Sequence, residues 1–142
     1  MAVRTAQARW ERGLRDGKGT MKLGSGAFEG AYSFSSRFEE GTGTNPEELI
    51  GAAHAGCFSM AFSAGLERNN FKPSYVSTSA KVHLNKVGEG FRITLVELAT
   101  EAKVPGIDEA KFHELAEAAK TGCPVSQALS ATQIKLEAKL VR

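Results

Sequence analysis

The chain has 142 residues, 42% of them hydrophobic and 24% charged, a size and balance typical of one folded domain rather than a disordered or fibrous chain. We therefore predict a single domain over residues 1–142. The 18 basic and 16 acidic residues give a net charge of +2 and are interspersed, so the composition does not favour nucleic acid as a partner. The N-terminal segment has basic residues but no apolar run after them, which predicts no secretory signal and a cytoplasmic location.

Glycine divides the first forty residues into short segments typical of strands. We predict strands over 6–11, 20–23 and 31–38, with a turn over 15–19 between the first two. A polar loop over 39–44 follows. This part of the chain therefore indicates a strand meander.

A helix start follows the polar loop. Asn45 suits an N-cap, Pro46 the first helical position and Glu48 a capping box. Residues 49–66 carry no formal charge, and small or apolar side chains cover nearly every face, which predicts a central, buried helix. Its glycine, serine and histidine residues make it too polar for a membrane span, so no membrane is expected as a partner.

Alternating apolar and polar residues predict a strand over 75–84, with a turn over 85–90. The next segment, over 91–102, continues as a strand, so the two form a hairpin. The apolar residues of its alternation are Phe91, Ile93 and Leu95.

A second helix is predicted to begin after Asp108 and to end near Thr121, where Gly122 stops it. In the final segment, over 134–140, apolar and charged residues again alternate, which predicts a strand with one solvent-exposed face. The order of strands, helix, hairpin, helix and strand predicts an α+β fold in which an antiparallel sheet covers helices.

Cys57 lies inside the uncharged helix, three residues after His54, so the two side chains share a helical face. A cysteine at this position is as typical of a packed core as of a reactive site. A reactive cysteine must be a thiolate, and an ordinary thiol with a pKa of about 8.5 is little ionised at neutral pH. Burial would raise the pKa of Cys57 further, so a guanidinium nearby is needed, and Arg37 is the candidate.

Glu47 stands ten residues before Cys57, a rise of about 15 Å along a continuous helix. Direct contact within one chain is therefore excluded. If Glu47 serves Cys57, a second copy of the chain must supply it. The simpler alternative is that Glu47 only stabilises the positive end of its own helix.

Cys123 occupies the junction between Gly122 and Pro124, where one helix ends and another could begin. A mobile junction would allow its sulfur to approach an oxidised Cys57, although a buried turn cysteine is an equally good interpretation. A third alternative is a metal site formed by Cys57 and Cys123 with His54 or His113. No Cys-x-x-Cys or His-x-x-x-His spacing supports such a site.

Four segments together resemble the OsmC/Ohr family of peroxidases, and in particular its OsmC branch. The longest is GTNPEELIGAAHAGCFSM over 43–60, and the others are SRFE over 36–39, VPGID over 104–108 and GCPVS over 122–126. They occur in the family's order and extend over most of the chain, with the region before about Tyr32 only weakly covered.

The resemblance implies an intertwined homodimer in which antiparallel sheets wrap around two central helices, with active sites at the subunit interface. It implies that Cys57 is the peroxidatic cysteine and Cys123 the resolving one. Arg37 and Glu47 would form the charged pair that activates the thiolate, and no catalytic role is assigned to His54. Organic hydroperoxides are the implied substrates, with hydrogen peroxide as a further one.

The same resemblance implies an external reductant, either a lipoyl-type dithiol or a small thiol, and a role in oxidative and osmotic stress defence. Neither metal, flavin nor haem is expected as a cofactor. The competing function from another class is a non-enzymatic stress protein that binds small ligands or senses redox state. Repeated turnover of a hydroperoxide with a dithiol separates an enzyme from a sensor.

Overall fold

Three short antiparallel strands begin the computed structural model, which describes residues 2–142. They are β1 (Ala6–Glu11), β2 (Lys18–Leu23) and β3 (Glu29–Tyr32), in the order β1-β2-β3. The Trp10 and Tyr32 rings contact each other across Gly19 of the middle strand, with centroids 5.1 Å apart and planes tilted by 55°. A Cβ on Gly19 would lie 2.6 Å from an atom of each ring, so only glycine allows this contact. The predicted meander is confirmed, although β2 begins inside the predicted turn.

The predicted strand over 31–38 is wrong beyond Tyr32, because a short helix, α1 (Phe34–Phe38), replaces it. Ser33 is its N-cap and forms a capping box with Ser36, each side chain accepting from the other's backbone N–H. Serine hydroxyls satisfy the free amides of a helix start, and this local bonding outweighs the strand tendency of the aromatic residues.

The predicted long helix is confirmed as α2 (Pro46–Arg68). Asn45 caps it by accepting the Glu48 backbone N–H at 2.7 Å, and the Glu48 carboxylate accepts the Thr44 hydroxyl at 2.8 Å. By length and composition α2 could also cross a membrane, but core helices of soluble proteins share these properties, so this is weak evidence for a membrane location.

The single chain buries only one face of α2, which differs from the predicted central, fully buried helix. The buried residues recur every third or fourth position: Glu47, Gly51, His54, Phe58, Phe62 and Leu66. The opposite face is exposed and apolar, and Met60 on it is 76% exposed. One chain therefore leaves an uncovered stripe along this helix.

A second sheet contains β4 (Tyr75–Val87), β5 (Gly90–Lys103) and β6 (Gln133–Val141), in the order β4-β5-β6. The β4–β5 hairpin is antiparallel, as predicted. However, β6 runs parallel to β5, so the prediction of purely antiparallel sheets is wrong. The reason is the long connection between β5 and β6, which contains two helices. It returns the chain toward the end of the sheet at which β5 begins, so β6 runs in the same direction as β5.

The alternation predicted for β5 is also wrong in part, because Phe91 is 58% exposed and the deeply buried positions start at Val96. An irregularity beside His83 and Leu84 inserts one extra residue into β5. Side chains on its two sides consequently change phase, as expected for a β-bulge. Ile93 thereby pairs with Leu84 and packs against the core.

Helices α3 (Glu109–Gly122) and α4 (Pro124–Ala128) complete the fold. Asp108 caps α3 by accepting the Lys111 backbone N–H at 2.7 Å, as predicted. The core comprises apolar residues of α2, α3 and the second sheet, and Phe62 contacts Phe58 and Phe112 at centroid distances of 5.7 and 5.3 Å. Two sheets and four helices confirm the α+β class.

The chain divides into two compact units, the first ending at Leu49 and the second comprising Ile50–Arg142. The first contains β1 to β3, α1 and the first turn of α2. The second contains the remainder of α2, the second sheet, α3 and α4.

Candidate functional site

Arg37 and Glu47, both in the first unit, form a two-pronged ion pair. Arg37 Nε donates to Glu47 Oε1 at 3.1 Å, and Nη2 donates to Oε2 at 3.0 Å. The Glu47 side chain is 9% exposed and the Arg37 side chain 36%. The carboxylate of the pair is thus buried, while about a third of the arginine side chain is exposed and its guanidinium lies over the Phe38 ring at 5.3 Å.

Hydrogen bonds between α1 and the start of α2 hold this pair in place. The Ser36 hydroxyl donates to the Thr44 carbonyl at 2.7 Å, and Asn45 Nδ2 donates to the Ser36 carbonyl at 3.1 Å. Arg37 follows Ser36 directly, so the bonds that fix Ser36 also fix the Arg37 backbone. The resulting frame presents a rigid guanidinium-carboxylate pair.

Cys57 and Cys123, both in the second unit, bring their sulfurs to 2.8 Å. Both cysteines are free; Cys123 is fully buried and Cys57 partly exposed. A disulfide requires about 2.05 Å, so the two sulfurs form a hydrogen-bonded dithiol that needs only a small movement to bond. The structure thus joins two residues 66 positions apart in the chain.

A second contact lies beside the dithiol. His54 Nε2 and the Ser126 hydroxyl are 2.7 Å apart, and both side chains are buried. His54 precedes Cys57 by three residues and Ser126 follows Cys123 by three, so α2 and the start of α4 touch through two matched pairs. We call His54, Cys57, Cys123 and Ser126 the cysteine cluster.

The two thiols differ in their surroundings. Burial and then the hydrogen bond with Cys123 raise the pKa of Cys57, and the backbone N–H of Val125 only partly offsets them. Burial alone would also raise the pKa of Cys123, but its interactions with Cys57 and with the backbone and hydroxyl of Ser126 outweigh burial and lower the pKa. The surroundings within the second unit therefore shift the pKa values of the two thiols in opposite directions, upward for Cys57 and downward for Cys123.

His54 is held neutral by its environment, because burial lowers its pKa. Its Nδ1 atom is buried and has no hydrogen-bond partner. A buried polar atom without a partner costs free energy, and such atoms are rare in folded proteins. Packing alone does not explain a histidine at this position.

An aromatic cavity of about 180 Å³ lies beside the guanidinium in the first unit. Its walls are formed by Arg37 and by five mostly aromatic residues: Trp10, Leu14, Tyr32, Phe34 and Phe38. A cavity of this kind accepts an apolar group next to a positive charge.

The structure therefore joins the predicted site residues in two pairs, Arg37 with Glu47 and Cys57 with Cys123. For the metal alternative, His113 instead contacts Glu109 at 3.2 Å on the surface of α3. Within residues 2–142, no group of three or more His, Cys, Asp or Glu side chains is placed to share a metal ion.

Ser126 and the aromatic cavity were missed from sequence. The matched spacing of three residues around each cysteine is the signal that could have indicated Ser126. The cavity has no comparable signal, because its residues come from separate elements.

The chain is an α+β protein with two sheets and a dithiol between α2 and the start of α4. Comparison with known proteins identifies its family. The OsmC family model, described as OsmC-like protein, matches residues 39–139. The peroxiredoxin OsmC of Escherichia coli (strain K12) is 50% identical over 135 residues, 94% of each chain. The chain belongs to the OsmC family.

More distant relatives agree with this assignment. The organic hydroperoxide resistance protein of Xanthomonas axonopodis pv. citri (strain 306) is 39% identical over 89 residues, 62% of this chain and 61% of that protein. The crystal structure of an organic hydroperoxide resistance protein OsmC from Legionella pneumophila has a TM-score of 0.72 at 24% identity, and covers 98% of this chain and 99% of its own. This last likeness supports the fold.

Proposed function

We propose that this chain is a cytoplasmic, thiol-dependent peroxidase that reduces organic hydroperoxides, and also hydrogen peroxide, through a Cys57 sulfenic acid and a Cys57–Cys123 disulfide. The observation that carries the proposal is the pair of free sulfurs 2.8 Å apart. The names of the relatives, a peroxiredoxin and an organic hydroperoxide resistance protein, support a peroxidase-type function. We further propose one domain over residues 1–142 and a role in oxidative and osmotic stress defence.

In the first step the Cys57 thiolate attacks the distal oxygen of the hydroperoxide. A sulfur–oxygen bond forms, the oxygen–oxygen bond breaks, and the electron pair leaves on the alkoxide. The alkoxide takes up a proton and departs as the alcohol, while Cys57 becomes a sulfenic acid. A positive group beside the departing oxygen would stabilise its developing charge, and Arg37 is suited to this role.

The first step needs an anionic Cys57, yet its surroundings in the second unit raise its pKa. A cation from outside that unit must therefore offset burial, and the partly exposed Arg37 of the Arg37–Glu47 pair offers one. Glu47 lies about 15 Å of helix rise from Cys57, so we infer that a second copy of the chain supplies the pair.

A homodimer also accounts for the exposed stripe of α2. Ala52, Ala53, Gly56 and Met60 are all exposed there in the single chain. Small side chains allow close helix packing, and an exposed apolar stripe typically marks a protein interface. Packing α2 against its copy would cover the stripe and form the intertwined dimer.

The aromatic cavity supports the choice of an organic substrate. It places apolar walls next to the guanidinium of Arg37. An alkyl or aryl group bound there would hold the peroxide oxygens near the charge, and hydrogen peroxide would lack this contact.

Cys123 completes the cycle by attacking the Cys57 sulfenic acid, which forms the disulfide and releases water. An external reductant, a lipoyl-type dithiol or a small thiol, then restores both thiols by exchange. The proposed cycle uses no metal, flavin or haem.

Titration with cumene hydroperoxide, combined with thiol counting by mass spectrometry, tests the proposal. The wild type should consume one equivalent per chain without reductant, lose both thiols, and consume many equivalents when a dithiol is added. Cys57→Ser should consume none. Cys123→Ser should consume one equivalent and stop with an oxidised Cys57.

Activity of Cys57→Ser equal to that of the wild type would refute the mechanism. Consumption that ends at one equivalent per chain even with lipoyl-type dithiols and small thiols would instead support a redox sensor. Arg37→Ala should slow the first step and raise the pKa of Cys57, measured by thiolate absorbance.

A further inference from the structure

The cysteine cluster contains a buried histidine that the proposed cycle does not use. His54 is fully buried, and its Nε2 lies 2.7 Å from the Ser126 hydroxyl. Ser126 follows Cys123 by three residues, and its backbone N–H and hydroxyl lower the pKa of the Cys123 thiol. His54 is thereby linked, through the Ser126 hydroxyl, to the surroundings of the sulfur that must resolve the sulfenic acid.

Counting donors and acceptors shows which atom donates in the contact between His54 and Ser126. A serine hydroxyl has one proton and can accept two further hydrogen bonds. If that proton points to the Cys123 sulfur, Ser126 must accept from His54, so Nε2 carries the imidazole proton. The partnerless Nδ1 is then a bare lone pair. In the opposite tautomer an N–H group would be buried without a partner, and Ser126 would have no proton for Cys123.

We propose that His54 is a positioning residue for the resolving step, acting through Ser126 to keep a hydroxyl proton directed at Cys123. This inference rests on the proposed function and extends it. By donating to Ser126, His54 fixes the rotation of the hydroxyl, and the hydroxyl then stabilises the Cys123 thiolate. The neutral imidazole is suited to this role because it brings no charge into the core.

The step it assists is the attack of the Cys123 thiolate on the Cys57 sulfur. A sulfur–sulfur bond forms and the sulfur–oxygen bond of the sulfenic acid breaks. The Cys123 sulfur is oxidised, the Cys57 sulfur is reduced from the sulfenic to the disulfide level, and hydroxide leaves. The hydroxide takes up one proton, equivalent to the one that Cys123 released, and becomes water.

A purely structural role is the alternative, in which the His54–Ser126 contact only holds α4 against α2. The two roles predict different kinetics. A structural role would disturb both cysteines, whereas a role through the hydroxyl proton affects only disulfide formation. Hydrogen bonds to charged groups are worth more than neutral ones, so loss of this bond should slow that step about 10-fold to 100-fold.

Single-turnover kinetics separate the steps. Sulfenic acid formation is followed by dimedone trapping, and disulfide formation by quenched-flow alkylation, both with mass spectrometry. His54→Leu and Ser126→Ala should each slow disulfide formation about 10-fold to 100-fold and leave sulfenic acid formation unchanged. The double variant should be no slower than either single one, because both act through one hydroxyl.

Two further variants sharpen the test. His54→Gln retains an N–H donor and should restore disulfide formation to near the wild-type rate. Ser59→Ala is the matched control, because it removes a 2.8 Å bond to the Thr78 hydroxyl from the same helix. It should change neither step.

Equal slowing of both steps in His54→Leu or Ser126→Ala, or a wild-type rate of disulfide formation in either, would overturn the inference. A His54→Gln as slow as His54→Leu would also overturn it. If His54→Leu fails to fold, Ser126→Ala decides alone, since it removes one buried oxygen atom. A wild type that forms no Cys57 sulfenic acid would overturn the proposed function itself.

Discussion

The Arg37–Glu47 ion pair should contribute measurably to stability, and a double-mutant cycle isolates its contribution. Replacing Arg37 with Met removes both donors, at 3.1 and 3.0 Å, and leaves a carboxylate that is 9% exposed. Breaking a fully buried pair costs about 3–5 kcal/mol, whereas exposed pairs contribute about 0.2–1 kcal/mol. Because 36% of the Arg37 side chain faces solvent, we expect an intermediate cost of about 2 kcal/mol.

The cycle comprises the wild type, Arg37→Met, Glu47→Leu and the double variant, each unfolded in urea at one fixed protein concentration. Glu47→Leu should cost less than Arg37→Met, because the freed guanidinium can reach water. The double variant should recover much of the loss, giving a coupling energy of about 1–2 kcal/mol. Glu117→Gln, which breaks the exposed pair with Lys120, is the matched control and should cost under about 1 kcal/mol. Strictly additive effects of the two substitutions would refute this reasoning.

Phe62→Ala should lower the free energy of unfolding by about 3–5 kcal/mol in urea titrations, because Phe62 is fully buried and contacts Phe112. A loss under about 1 kcal/mol would contradict the described core. His54 should stay neutral below pH 6.5 in proton NMR titrations, because burial lowers its pKa. Below about pH 6.5 the unfolded chain then binds a proton that the folded chain does not, so the wild type should lose stability relative to His54→Gln as the pH falls. Parallel plots of unfolding free energy against pH for the two proteins would contradict this prediction. The hydrogen bond from His83 lowers the pKa of Glu97, so carboxyl NMR should show a pKa that rises in His83→Ala, which has no side-chain donor. This contribution to stability is present at neutral pH and is lost as the pH falls through the lowered pKa.

Local signals allowed most elements to be predicted. The cap at Asn45 and the cap at Asp108 both begin helices where predicted, because side-chain capping depends on neighbouring residues alone. The misses have other causes. The parallel pairing of β6 depends on where two helices return the chain, and the phase change in β5 depends on one extra residue, so neither follows from alternation.

The candidate site shows the same limit. Sequence placed Cys57 inside a helix and Cys123 at a helix junction, and both placements are confirmed. Their contact depends on how α4 packs against α2 after 66 intervening positions, which no local pattern specifies. The homodimer, the single domain and the catalytic roles stay predictions.

The electrostatics of the cysteine cluster explain why its chemistry needs a second source of charge. Packing of α4 against α2 brings the two sulfurs into contact, but burial also raises the pKa of Cys57, the residue that must ionise first. A cation fixed permanently inside the cluster would need a buried counter-charge to offset its desolvation. A guanidinium already paired with a carboxylate, as Arg37 is with Glu47, avoids this because its desolvation is offset before it approaches the thiol. Activation would then depend on assembly, so a chain prevented from dimerising should retain its dithiol but lose its reactivity toward peroxide.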